Sequence, residues 1–291
     1  MNLTVGVIGL GNIGNGVAKN IAKNGYRVLG FDIDPNRLDE CMAISVNSIE
    51  EIASQSHFLL VAVPTLEAYD EVMQIISINA SDKLIVGDLC TFSEQTKKQT
   101  YLTLAENGIV LIDCPVSGAR PQSQAGKLSM TVSGERPAYD KVETILNSFC
   151  RSVIYVGEFG VSIKIKYILN LMIAIHNVTC AEAFVMAEKV GIDLELFTKV
   201  VKNSSAHLEI FDTRADKWIT GNYDKDITAA LGITLKDKLV IQEFAAKHNI
   251  PTPLYEVAGK YYDEAATRGW KDQDAAVILK ILEEKTGINR V

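Results

Sequence analysis

The sequence carries no excess of positive charge: 29 Lys and Arg stand against 36 Asp and Glu, a formal net charge of −7. Without a basic stripe it cannot neutralise a run of phosphates, so nucleic acid is excluded as a partner. Cysteine is sparse too. The five (Cys41, Cys90, Cys114, Cys150 and Cys180) are odd in number and form no CxxC pair, which suits buried thiols in a reducing compartment. Four histidines, His57, His176, His207 and His248, are scattered and suggest no metal site. At the N-terminus no basic flank precedes an apolar stretch, and MNLTVGVIG reads as a first strand, not a secretory leader. The most apolar segment, residues 167–175, is nine residues long and contains Asn170, short of the roughly 18 that a bilayer span requires. These absences predict a cytoplasmic protein without a membrane partner.

What is present, 47% apolar and 22% charged residues over a length of 291, supports one large or two ordinary domains with buried cores and excludes disorder. Residues 1–160 hold 14 of the 20 glycines and five of the seven prolines, so the halves are built differently. In the first half, LTVGVI from Leu3, YRVLGF from Tyr26, HFLLVAV from His57, KLIVGD from Lys83 and GIVLID from Gly108 read as buried parallel strands. Residues 12–24, 65–79 and 93–107 lie between them and are each long enough for a crossover helix. The pattern predicts an α/β fold, a Rossmann-type doubly wound sheet, over residues 1–160. LSMTVSG from Leu128 and SVIYVG from Ser152 extend the sheet in a direction that the pattern leaves open.

After Gly160 the strand signals stop. A long helix over residues 161–190, between the domains, should end at Gly191 in the left-handed stop position. Helical segments at 194–203, 211–219, 232–249, 254–267 and 273–285 make residues 161–291 an all-helical C-terminal domain for substrate binding and oligomerisation.

The first strand runs into Gly9-Leu10-Gly11-Asn12-Ile13-Gly14, the GxGxxG spacing, just before a helical pattern. Gly9 permits the tight turn, Gly11 lets backbone approach a pyrophosphate, and Gly14 lets helix pack on strand. Asp32, 18 residues beyond Gly14, closes the second strand where an acid accepts hydrogen bonds from the adenosine ribose. Together they predict dinucleotide binding. A carboxylate at Asp32 favours NAD over NADP, with Arg37 as the counter-indication.

GLGNIGNGVAKN, VAVPT, DLCT, DCPVSGARPQSQAG, GEFGVSIKIKYILN and LKDKL follow one another along nearly the whole chain. In order and spacing they resemble the 3-hydroxyisobutyrate dehydrogenase family of β-hydroxyacid dehydrogenases, which is 6-phosphogluconate dehydrogenase-like. The resemblance implies an NAD-dependent oxidoreductase that interconverts a small 3-hydroxy acid and its semialdehyde. It makes Val63, Pro64, Thr65 and Thr91 cofactor contacts, and both segments end predicted strands, where open α/β sheets bind ligands. It makes Ser117 and Gly118 the holders of the substrate carboxylate, in a turn whose successive N–H groups form an anion nest. Ala119 replaces the family's second glycine, and Arg120 beside it is either a clamp or a surface residue.

Lys166 and Asn170 match the family's lysine, which acts on the substrate hydroxyl proton, and the asparagine that orients it. Four residues apart on the long helix, they share a face. Tyr-Ile-Leu follows Lys166 and Leu-Met-Ile follows Asn170, a setting that predicts burial. Burial disfavours a charged ammonium, which suits a general base. Lys236 matches a lysine reaching cofactor or substrate. Arg214 is a candidate partner for an acidic or polyhydroxylated substrate, with helix pairing to Glu209 or Asp216 as the alternative, and His207 is a candidate at the pocket rim.

Other readings are a 6-phosphogluconate-type oxidative decarboxylase, an imine reductase, which Lys166 disfavours, and a non-catalytic NAD-binding relative, which the joint presence of Ser117, Gly118, Lys166 and Asn170 disfavours. Abundant apolar helix faces predict a homodimer or homotetramer.

Overall fold

A computed structural model describes residues 3–38, 41–81 and 83–288. The chain divides into two compact units, Met1–Lys166 and Tyr167–Val291.

The first unit alternates strand and helix: β1 (Thr4–Ile8), α1 (Gly14–Lys23), β2 (Arg27–Phe31), β3 (Ile44–Ser45), α2 (Ile49–Gln55), β4 (Phe58–Val61), α3 (Leu66–Asn79), β5 (Ile85–Asp88), α4 (Glu94–Glu106) and β6 (Val110–Asp113). Then come β7 (Val116–Ser117), α5 (Arg120–Gln124), β8 (Leu128–Ser133), α6 (Arg136–Asn147) and β9 (Cys150–Gly157). Alternate strand residues serve opposite faces of the sheet. Val5, Val7, Phe58, Leu60 and Ile112 pack into one core, Ile8, Leu59, Val61, Val86 and Leu111 into the other. Burial on both faces is why these strands are nearly continuous apolar runs.

The strand order is β3-β2-β1-β4-β5-β6-β8-β7, with β9 on β8. The pairs from β3 to β6 are all parallel. The direction left open by the pattern resolves as a mixed edge: β8 runs antiparallel to β6 and β7, and β9 runs parallel to β8. The parallel strands also finish level. Phe31 pairs with Ile8, Ile8 with Val61, Val61 with Asp88, and Asp88 with Asp113. The loops that follow therefore leave side by side from one carboxyl edge, on either side of the order reversal at β1.

The long helix is α7 (Val161–Lys189), and Gly191 beyond it has φ +79°. By length and composition this helix is sufficient to cross a membrane, a correction to the expectation drawn from residues 167–175. Residues 167–175 are only its most apolar stretch, and the helix continues through the polar Asn170 and His176. One side of it is core. Ala174, Val178, Ala181, Phe184 and Val185 are buried, and the fully buried Asn177 donates to the Tyr262 hydroxyl at 3.1 Å and the Ala275 carbonyl at 3.0 Å.

The second unit continues with α8 (Leu194–Lys202), α9 (Glu209–Thr220), α10 (Leu231–Lys247), α11 (Pro253–Thr267) and α12 (Ile278–Thr286). Phe184, Phe197, Phe211 and Trp218 cluster at its centre. All five cysteines are buried and none is in a disulfide, and burial pushes the Cys150 thiol up to about 12 and Cys180 to about 11.

Candidate functional site

The glycine loop leaves β1 through Gly9 at φ +85°, where an added Cβ would lie 2.3 Å from the Ala62 carbonyl oxygen. At Gly14 it would lie 1.8 Å from the Gly9 oxygen. Both glycines are thus required by backbone packed against backbone, and Leu10, Gly11, Asn12 and Ile13 between them form the turn that opens α1. Asp32 is built into this turn. Its Oδ2 accepts the Leu10 N–H at 2.6 Å and its Oδ1 the Asp34 N–H at 2.9 Å. A carboxylate offers about four acceptor positions, so capacity remains for ribose hydroxyls. Arg37 Nη1 lies 3.6 Å from Asp32 Oδ2, beside Gly11. A turn with glycine at its centre, at a helix N-terminus and with an acid at the end of the next strand, fits a dinucleotide.

Val63, Pro64 and Thr65 follow β4, and Thr91 follows β5, so both segments stand on the same carboxyl edge as Gly9. Thr65 is the N-cap of α3, its Oγ1 accepting the Ala68 N–H at 3.2 Å. That fixes the turn while Val63 and Pro64 stand at its crest.

Ser117 pairs with Ser129 in the short β7, and Gly118 turns the chain at φ +133°. The Ala119 N–H is donated to Gln122 Oε1 at 3.0 Å. The side chain three residues on thus reaches back and caps α5. That helix is in turn tied to the nucleotide side. Ser123 Oγ donates to the Ile13 carbonyl at 2.7 Å, and Gln124 Nε2 to Asn15 Oδ1 at 2.9 Å.

Behind this edge lies a buried ionic group that sequence reasoning missed. Lys97 Nζ, on α4, sits 3.0 Å from Asp88 Oδ2 and 2.5 Å from Asp113 Oδ1, with all three side chains at most 1% exposed. Burial works against the Lys97 charge, but Asp113 and Asp88 together outweigh it and hold the amine above its ordinary value. Burial likewise pushes the Asp113 carboxyl upward, with Lys97 opposing. Tyr69 donates its hydroxyl to Asp88 Oδ2 at 2.7 Å, and the Cys90 N–H donates to Asp88 Oδ1 at 2.8 Å. The available signal was an acid closing each of two apolar strands that a parallel sheet makes neighbours.

Lys166 closes the first unit and is half-buried, a correction to the burial that its apolar surroundings predict. Ile168, Leu169, Met172 and Ile173 are themselves exposed, so α7 presents an apolar face outward in the single chain. In the second unit, Asn170 donates to Asp237 Oδ2 at 2.7 Å, and Lys236 Nζ lies 3.5 Å from Asp237 Oδ1. Asp237, quoted in the LKDKL motif but given no role, thus joins two expected site residues.

Arg214 does not pair along its own helix. It is 5% exposed and faces Asp274 at 3.9 Å, not Glu209 or Asp216. Its place on α9 beside the buried Phe211 and Trp218 turns it into the unit's interior. His207 Nε2 lies 2.8 Å from Asp212 Oδ2 on the exposed surface.

Residues 4–157 match the NAD-binding domain of 6-phosphogluconate dehydrogenase. Residues 160–282 match a domain described as the NAD-binding domain of NADP-dependent 3-hydroxyisobutyrate dehydrogenase. A 2-(hydroxymethyl)glutarate dehydrogenase of Eubacterium barkeri is 24% identical, covering 99% of this chain and 97% of its own. An L-threonate dehydrogenase of Cupriavidus necator is 27% identical over 97% and 96%. Among solved structures, a 3-hydroxyisobutyrate dehydrogenase of Salmonella typhimurium superposes with a TM-score of 0.88 at 24% identity, covering 96% of this chain and 99% of that one.

Proposed function

The chain belongs to the 3-hydroxyisobutyrate dehydrogenase family of β-hydroxyacid dehydrogenases, with a 6-phosphogluconate-dehydrogenase-like NAD-binding domain, and from that premise we propose what its residues do. It is an NAD(P)-dependent 3-hydroxyacid dehydrogenase acting on a CH–OH group. The reaction we assign interconverts a small 3-hydroxy acid and its semialdehyde. The nicotinamide, when bound, takes or returns the hydride.

The chain's own residues then divide the remaining work. Ser117 and the Gly118 N–H hold the substrate carboxylate. Lys166 takes the hydroxyl proton in oxidation and returns it in reduction. Asn170, hydrogen-bonded to Asp237, orients the alcohol, and Lys236, beside the same Asp237, contacts the cofactor. Asp32 holds the ribose and favours NAD, with Arg37 offsetting part of its charge.

The supporting observation is convergence within the first unit. The glycine loop, the Thr91 segment and the Ser117 turn all leave one carboxyl edge of the sheet. The first turn of α7 hydrogen-bonds to that same edge through Asp113, three residues before Lys166. The relatives named for 2-(hydroxymethyl)glutarate and L-threonate are consistent with a small hydroxy acid. A spectrophotometric panel of 3-hydroxy acids with NAD tests the reading: at least one acid should give NADH. Tight dinucleotide binding with no turnover on any acid would favour the non-catalytic relative instead.

We also assign a dimer or tetramer assembled through the helical unit. Met186, Val190, Ile192, Leu196 and Val200, from the end of α7 through α8, are all exposed in the single chain. An apolar run of this kind is commonly covered by a partner.

A further inference from the structure

The buried carboxylate of Asp113 does more than pair with Lys97. We propose that Asp113, held by Lys97, is a positioning residue for Lys166, fixing the first turn of α7 against the sheet edge that carries the substrate turn. This rests on the reading of Lys166 as the general acid/base.

An α-helix begins with N–H groups that have no intrahelical acceptor, and a side chain just before the helix ordinarily supplies one. In α7 the preceding residue is Gly160, which has none to offer. The acceptors come instead from strand ends far away in sequence. The Ile163 N–H donates to Asp113 Oδ2 at 2.8 Å, and the Ser162 N–H donates to Ser133 Oγ at 3.1 Å. Ser133 Oγ lies 3.5 Å from the same Asp113 oxygen. The Val161 N–H is satisfied locally by the Glu158 carbonyl at 3.2 Å. The axial position and rotation of the first turn are therefore set by β6 and β8, not by the chain entering the helix.

Lys166 lies three residues beyond Ile163, about 4.5 Å along the axis and on the same side of the helix. A shift of Asp113 carries directly to it. The strand that bears Asp113 also continues through Cys114 and Pro115 into Ser117, and Asp88, the other partner of Lys97, stands three residues before Thr91. One buried ammonium thus ties together the cofactor segment, the substrate turn and the helix start.

The ionic form matters. A carboxylate at a helix N-terminus accepts a charge-assisted hydrogen bond and interacts favourably with the helix dipole. Burying three charges is costly, and apolar side chains of similar volume would often serve stability as well. What apolar side chains would not do is grip two backbone N–H positions, directly and through Ser133.

The test uses the full-length protein with Asp113→Asn and Ser133→Ala, read in two ways. Turnover is expressed per dinucleotide-binding site, so that misfolded protein does not count, and amide exchange is followed at Ile163 and Ser162. Asp113→Asn should lower kcat about 10- to 100-fold, the scale of an ångström-level misplacement, with the dinucleotide Kd within about twofold of the wild type. Ile163 exchange should accelerate in parallel. Ser133→Ala, the milder change, should speed Ser162 exchange with a smaller loss of kcat, and it decides the matter if Asp113→Asn does not fold. Unchanged exchange at these amides, or faster exchange with undiminished kcat, overturns the proposal. Lys166→Ala separates the two claims: if it retains turnover, the acid/base reading fails, whereas the exchange data still report on the anchor.

Discussion

The Leu10 N–H donates to Asp32 Oδ2 at 2.6 Å, so the acid proposed to hold the ribose is also a strut of the glycine loop. Asp32→Ala should therefore cost more than a ribose contact. NADH affinity should fall about 10- to 100-fold, some 1.4 to 2.7 kcal/mol. Asp32→Asn keeps an acceptor but loses the charge, and it should narrow the preference for NADH over NADPH. Fluorescence titration with both dinucleotides measures this. Tighter NADPH binding by the wild type would contradict the assignment to NAD and point to Arg37 as the dominant charge.

Lys97→Met should destabilise the first unit severely. It leaves Asp88 and Asp113 buried side by side without a cation, a change that typically costs about 3–5 kcal/mol. Urea unfolding is the measurement, and an unchanged midpoint would mean that the carboxylates are neutral in the folded protein.

Asp274 gives a prediction with pH. Burial alone would raise its carboxyl, but Arg214, the Ala276 N–H and Thr228 together hold it below its ordinary 3.8. A depressed carboxyl contributes stability above its unfolded value and loses it as pH falls through the folded one. The stability gap between wild type and Asp274→Asn should thus be constant near neutrality and shrink below about pH 4. Arg214→Met should lower stability while leaving the substrate KM within about twofold. A large rise in KM with unchanged stability would return Arg214 to the substrate site.

Leu196 and Val200 lie one turn apart on α8, 56% and 58% exposed. Leu196→Asp with Val200→Asp should shift the assembly towards monomer in light scattering after size exclusion. An unaltered mass would place the interface elsewhere.

The sheet was readable in the sequence because its strands are buried on both faces, which makes them apolar runs bounded by turns. The stop at Gly191 was readable because few other residues take φ +79° so easily. The two-residue strands β3 and β7 carry too little pattern to register as strands. The direction of β8 depends on pairings with β6 and β7 that local propensity does not encode. Gly9, Gly14 and Asp32 could be read because they form one short unit. Lys97 could not: on a helix it reads as a solvated residue, and only the adjacency of β5 and β6 brings Asp88 and Asp113 to it. The pairing of Arg214 was hidden for a like reason, since its partner Asp274 lies 60 residues away in sequence.

The most direct measurement pairs turnover with dinucleotide affinity in Lys166→Ala, on whichever hydroxy acid the wild type oxidises. Loss of a positioned proton-transfer group should lower kcat about 100- to 10,000-fold while the dinucleotide Kd stays within about twofold. A variant that turns over at close to the wild-type rate would show that the hydroxyl proton leaves by another route.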